Sequence, residues 1–380
     1  MRSLFPSRGA FTLAASLLVT SSVSFAGLDA MAAASKEQKP AVTDSQAAGV
    51  TAQAEDFISD AERQQVIAKA LTEIEAKYVF PEVVKQQLPE LRRRWTEGEL
   101  TKQTKRSVLI RKMNADLSAL FHDGHLFVAP PRPGMGGQHQ SPAELDAYLR
   151  KQHYEIRRAE ILAGNIGYLR LDLFAPYDLV GFRRALAEAM SFVADTDALI
   201  LDLRNHHGGD VRSVALWVSY FTDQRVHLLD AFDRLTGQTT PSVTLSKLEG
   251  TRYGKDKPVY VLISRRTFSG GEEFAYDLQG MKRGTLVGET SAGAANNNMF
   301  IALSPQLVIS VPYGHVTSSF TRSNWEQVGV KPDVKTDPKD ALRVAQEQAL
   351  QVLLQKATRR EDKQALEQAL SALRTQAPAS

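Results

Sequence analysis

Apolar positions recur along this chain with two different periods. From residue 59 to residue 121 the spacing is helical. Val66, Ala70, Ile74 and Tyr78 fall three or four apart, behind Ser59-x-x-Glu62, the pattern of a capping box. Pro81 disfavours helical backbone at Phe80, so this helix is expected to end there. Residues 83–95 and 105–121 repeat the amphipathic period, and the three helices lead to His122-Asp123-Gly124-His125. Residues 130–142 hold four prolines and three glycines, which predicts a loop. Beyond a short helical stretch the period changes. Residues 166–174 alternate as a strand, 179–193 are helical, and 198–203 form a continuous apolar run, the mark of a buried strand. Residues 211–221 read as a helix. Residues 259–263 are a second buried strand, followed by a helix over 269–278, with further strands at 285–288 and 307–311. This alternation predicts an α/β fold built on βαβ units with a parallel sheet at its core. Asp337-Pro338, a cap residue followed by proline, opens a helix to about residue 354, and another is expected over 361–373. The spacing shows no internal repeat.

Composition adds limits. Residues 1–26 carry Arg2 and Arg8, an apolar run over 10–19 and Ser24-Phe25-Ala26, the three regions of a signal peptide. The apolar run is shorter than the ~20 residues that span a bilayer, and no other segment reads as a membrane span. A periplasmic or secreted location is expected, without stable membrane insertion. Residues 27–57 are rich in Ala, Ser and Lys without period and read as a flexible linker. The division that follows is an N-terminal helical domain over 58–128, an α/β domain over 155–337 and C-terminal helices over 338–375. The formal charge of +3, +1 once the leader is removed, and the lack of a basic stripe exclude a nucleic-acid partner. There is no cysteine, so no disulfide supports the exported chain.

Candidate chemistry falls on the loops after the buried strands, where open α/β sheets bind ligands. The stretch after 259–263 delivers Ser269-Gly270-Gly271-Glu272 to a helix start, a place rich in free N–H groups that can hold an oxyanion. Ser269-x-x-Glu272 is equally a plain capping box. Gly-x-Ser-x-Gly is absent, because Thr267 stands at the first glycine position, which argues against an α/β-hydrolase elbow. Gly208-Gly209 follow the strand over 198–203 and offer further N–H groups, or simply a tight turn. The loop over 288–296 has no lysine, which leaves histidine as the base. His122 and His125 flank one turn. A metal site joining them to His206-His207 finds no supporting spacing, and neither metal nor cofactor is expected. Glu326, in a loop beside Trp325, is a carboxylate that can orient an imidazole.

Several of these pieces form an ordered set: Tyr78-Val79-Phe80-Pro81, Asp123-Gly124-His125, Asp202-Leu203-Arg204-Asn205 with Gly208-Gly209, Thr267-Phe268-Ser269-Gly270-Gly271-Glu272-Glu273, Val287-Gly288-Glu289-Thr290, and the run from Asn324 to Val334. Together they resemble the tail-specific (C-terminal processing) serine peptidases, most closely the branch that includes interphotoreceptor retinoid-binding protein and the tricorn core. The resemblance runs from about Glu62 to Val334. It implies a crotonase-like (ClpP-like) β-β-α sandwich and an exported serine endopeptidase acting on peptides or proteins. It also implies Ser269 as nucleophile, His125 as base, Glu326 as the orienting carboxylate, and Gly270 with Gly208 or Gly209 as the oxyanion hole. The retinoid-binding relatives suggest an alternative, a non-catalytic carrier of apolar ligands. The chain departs from the family in three places. Gly124 replaces the second serine of the family tetrad, and Gly270-Gly271 replace the usual small residues after the nucleophile. Only about forty residues separate His125 from Ile166, too few for a PDZ insertion of ~50 residues or more.

Overall fold

The computed structural model describes residues 56–133 and 141–375. The expected signal peptide and nearly all of the expected linker lie outside these residues.

Two sheets organise the fold. The first contains β2 (Ile156–Leu162), β3 (Ile166–Leu171), β4 (Ala198–Asp202), β7 (Val259–Ile263), β8 (Thr285–Gly288) and β11 (Val334–Lys335). Its order is β11-β8-β7-β4-β3-β2, parallel throughout except for the antiparallel edge strand β2. Every residue of β4 and β7 is buried, because both faces of the sheet are covered. Leu199, Leu201, Val261 and Ile263 face one core with Phe182, Leu186 and Phe274. Ile200, Tyr260 and Leu262 face another, with Ala341, Ala345 and Leu350. A sheet covered on both faces needs continuous apolar strands, which is the pattern the sequence carries.

The second sheet, β1-β10-β5-β6 with β9 also paired to β10, is antiparallel. Its members are β1 (Phe127–Ala129), β5 (His227–Asp233), β6 (Gln238–Val243), β9 (Asn297–Ser304) and β10 (Leu307–Ser318). Only the start of β10 is expected from the pattern. His227–Asp233 and Gln238–Val243 mix polar and apolar residues on half-buried faces, and Pro241 reads as a breaker. An edge strand tolerates that proline, because its outward N–H has no partner to lose.

The N-terminal helices α1 (Asp60–Lys77), α2 (Pro81–Glu97) and α3 (Arg106–Phe121) form close to their expected bounds. The Ser59 hydroxyl accepts from the Glu62 N–H at 3.2 Å, and Pro81 occupies the first turn of α2. Their core is shared: Leu71, Ile74, Leu91, Leu109 and Leu117 pack together with Leu307, Ile309 and Val311 of β10. Burial of each such side chain contributes roughly 1.5–3 kcal/mol. The helical layer therefore sits on the antiparallel sheet, which brings the end of α3 against the loops of the parallel one.

At the C-terminus, Ala341–Lys356 is regular helix, while residues 338–340 form a turn, so the helix begins later than Asp337-Pro338 suggests. The following helix, Arg360–Thr375, lays Leu366, Leu370 and Leu373 against it. No helix among the described residues is long and apolar enough to cross a membrane.

Candidate active site

The loops after β4, β7 and β8 converge on a cavity of about 960 Å³. Its wall includes His125, Gly209, Ser269, Gly270, Ala295, Asn296 and Trp325. Among the described residues no lysine lines it.

Ser269 sits between β7 and the helix Gly270–Gly280 (α7) with φ 53° and ψ −122°. Residues other than glycine rarely adopt this backbone, and such strain persists only where surrounding bonds enforce it. Those bonds are visible. The Phe268 N–H donates to the His206 carbonyl at 3.0 Å, and the N–H groups of Glu272 and Glu273 donate to the Ser269 carbonyl. The Ser269 N–H donates to Glu272 Oε2 at 2.8 Å. The Glu272 N–H is held by the Ser269 carbonyl at 2.8 Å, and the Ser269 side chain, which completes the capping-box pattern, also lines the cavity.

The chain makes a sharp strand-to-helix turn here, without a glycine two residues before Ser269. Thr267 stands there instead, with its hydroxyl donating to the Leu203 carbonyl at 2.8 Å and accepting from the Ser264 N–H at 2.9 Å. The glycine two residues after Ser269 is required by close packing. A Cβ on Gly271 would lie 2.6 Å from Nδ1 of the buried His206.

Two main-chain donors flank Ser269. The Gly270 N–H is at the first helical position and has no intrahelical acceptor. A Cβ on Gly270 would lie 3.2 Å from the Gly209 nitrogen, so the two N–H groups are neighbours. Of the two glycines considered after β4, Gly208 gives its N–H to His206 Nδ1 at 3.0 Å. Gly209 bridges to Phe174 through its neighbours only: the Phe174 N–H donates to the Gly208 carbonyl and the Asp210 N–H to the Phe174 carbonyl. Its own N–H remains. Both positions exclude a side chain. Gly208 has φ +100° and Gly209 φ +134°, and a Cβ on Gly209 would fall 2.0 Å from the Phe174 carbonyl oxygen.

His125 is buried, with its ring tilted against Phe268 at a centroid distance of 4.7 Å. Burial lowers its pKa to about 3, and Nδ1 has no hydrogen-bond partner. His122 stands apart: it caps α3 in the left-handed conformation and is exposed. Glu326 lies behind the cavity wall. Trp325 anchors its loop by donating from Nε1 to the Ala294 carbonyl at 2.9 Å. Glu326 Oε2 accepts from the N–H groups of Ala295 at 2.6 Å and Asn296 at 3.2 Å. Burial, and after it the charge of Asp123, pushes its carboxyl up to about 8.

Ligand-type atoms of Asp123, His125 and Glu326 lie within 4.8 Å of one another. His125 Nδ1 and Glu326 Oε1 are without partners, while the Asp123 oxygens accept three hydrogen bonds and Glu326 Oε2 accepts two. The third protein ligand of a catalytic zinc site would therefore have to come from the already bonded Asp123.

Several participants escape sequence reasoning. Glu272 accepts from Ser291 Oγ, the Gly293 N–H and the Ala294 N–H as well as from Ser269, and so ties the serine to the loop that holds Glu326. Burial raises its carboxyl to about 7 against those four donors. Asp123 and Asn296 lie 173 positions apart yet share a hydrogen bond of 2.9 Å. The only sequence signal was the dense cluster of polar residues in each motif.

Residues 165–336, just under half of the chain, match the model of peptidase family S41. The C-terminal processing peptidase of Tetradesmus obliquus, a chloroplastic protein, is 26% identical over 174 residues, which is 46% of this chain and 35% of that protein. The match thus spans about a third of the curated relative. The structure of a lipoprotein from Streptococcus agalactiae superposes with a TM-score of 0.51 at 15% identity, covering 77% of this chain and 96% of that one. It shares the fold. The photosystem II D1 C-terminal processing protease aligns with a TM-score of 0.45 at 16% identity, over 73% of this chain and 94% of that one. The resemblance to the C-terminal processing peptidases read from the motifs agrees with the match to the S41 peptidase model over 165–336 and with the curated relative.

Proposed function

We propose that this protein is an exported serine endopeptidase in which Ser269 is the nucleophile, His125 the general base and Glu326 the orienting carboxylate. The observation that carries the reading is the strained Ser269 backbone at the cavity wall, with the Gly270 and Gly209 N–H groups beside it. Ser269 Oγ attacks a peptide carbonyl while its proton passes to His125. The Gly270 and Gly209 N–H groups receive the developing oxyanion. His125 then gives the proton to the leaving amine as the C–N bond breaks. Water, deprotonated in the same way, hydrolyses the acyl-enzyme and frees Ser269. Because Nδ1 is buried, Nε2 is the ring nitrogen that exchanges the proton. The same reading takes the core as a crotonase-like β-β-α sandwich. Between residues 126 and 165 the described residues form β1, the helix Pro142–Lys151 and β2, and the reading takes no PDZ domain there, so substrate selection rests on the cleft.

A fluorophosphonate should label wild-type protein at Ser269, read by mass spectrometry of the adduct. Label elsewhere, or none, sinks the assignment. Export is the second part of the proposal. The form isolated outside the cytoplasm should begin near Gly27, and an intact Met1 on that form would count against it.

One observation favours a second reading. Leu145, Leu179, Leu229, Leu245 and Phe268 give the cavity apolar walls, and its volume suits a small apolar ligand. A carrier would bind a fluorescent fatty acid equally well in wild type and in Ser269→Ala, and would leave casein intact.

A further inference from the structure

A general base works only while its ring keeps one geometry, and a misplacement of ~1 Å can cost on the order of a hundredfold in rate. His125 has no bond at Nδ1 to hold it. Its main chain is held instead. Asp123 Oδ1 accepts from the His125 N–H at 2.9 Å, and the His125 carbonyl accepts from Ser310 Oγ. Asp123 is in turn fixed through Oδ2, which accepts from Tyr78 Oη at 3.1 Å and from Asn296 Nδ2 at 2.9 Å. Asn296 gives its main-chain N–H to Glu326 Oε2 at 3.2 Å. One buried carboxylate thus links the base, the orienting glutamate and the end of α1. The reaction as described makes no use of it.

We infer that Asp123 is a positioning residue that fixes His125 through its backbone and Glu326 through Asn296. This rests on the reading of Ser269, His125 and Glu326 given above. The groups that face Asp123 are Tyr78 from the end of α1, His125 beside it, and Asn296 and Glu326 from the two loops. Glu272 adds its charge to Glu326 from α7. Two carboxylates this close do not both ionise freely, so the charge on Asp123 controls how readily Glu326 gives up its proton.

The test is the rate of Ser269 labelling by a fluorophosphonate, measured across pH with thermal unfolding as a check on folding. In Asp123→Asn the high-pH plateau should fall on the order of tenfold to a hundredfold. Its rising limb should move to lower pH, because the charge that holds the Glu326 proton is gone. Tyr78→Phe keeps Asp123 but removes a donor to its ionised form, so Asp123 holds its own proton to higher pH and the Glu326 limb should move to lower pH by less than in Asp123→Asn. General loosening of the cleft shows as earlier thermal unfolding, so a graded downward shift in two variants that unfold like wild type does not come from it. If both variants fold and label at the wild-type rate with unmoved limbs, Asp123 is not a positioning residue, although the peptidase reading survives. Should Asp123→Asn not fold, Tyr78→Phe decides alone, and an unmoved limb overturns the inference. Wild type that never labels at Ser269 removes the peptidase reading, and this inference falls with it.

Discussion

Replacing Ser269 by Ala is expected to abolish peptide hydrolysis while leaving the fold as stable as before. Deleting a well-aligned nucleophile lowers turnover on the order of 10⁶-fold. A serine that caps a helix would also cost ~1 kcal/mol of stability when lost, and the sequence pattern Ser269-x-x-Glu272 suggests that cost. The structure largely removes it, because the Glu272 N–H is already held by the Ser269 carbonyl at 2.8 Å. Glu272 still accepts from the main-chain N–H of residue 269, whatever the side chain is. Ser269→Gly separates the two effects further. It should be as inactive as the alanine variant, yet more stable by about 1 kcal/mol, since glycine relieves a backbone at φ 53°, ψ −122° at some entropic cost. Casein hydrolysis and thermal unfolding of the three proteins check this together. Undiminished hydrolysis by Ser269→Ala would sink the nucleophile assignment, and a glycine variant less stable than alanine would remove the claim of strain.

The contrast shows which parts of the molecule the chain states openly. The strands of the parallel sheet were legible because both of their faces are buried, which forces runs such as Val259–Ile263 to be apolar throughout. The helices were legible by their period and caps. The antiparallel sheet was not. Strand β6 is an exposed edge whose polar residues and Pro241 look like loop, and β9 alternates too weakly to register. At the site, Ser269 was visible as a serine between a buried strand and a helix. Its backbone strain was not, because Thr267 stands where a glycine would announce a sharp turn. Asp123 and Asn296 were invisible as a pair. Their bond joins residues far apart in sequence, and a polar side chain in a loop gives no hint of what it meets. Burial decides their roles, and burial is a property of the packed fold.

The pH dependence of activity should also differ from what histidine chemistry alone suggests. A free imidazole would place a rising limb near ~6.5. Here burial brings His125 down to about 3, so the ring is neutral through the whole working range. Glu326 moves the other way, to about 8, first through burial and then through the charge of Asp123. Below that value Glu326 keeps its proton and presents a neutral carboxyl, which cannot stabilise the imidazolium that forms when His125 accepts the serine proton. Above it the carboxylate is free to do so. The rate of acylation should therefore rise with pH along one limb centred near 8. In Glu326→Gln the group that titrates near 8 is gone, while Glu272, raised to about 7, remains. The limb near 8 should be absent and the rate low, with the residual supplied by the oxyanion donors, and His125→Ala should be lower still. Single-turnover acylation by an activated ester, followed across pH in the three proteins, reads all of this. A wild-type limb near ~6.5, or a limb near 8 that survives in Glu326→Gln, would show that Glu326 does not govern the rate.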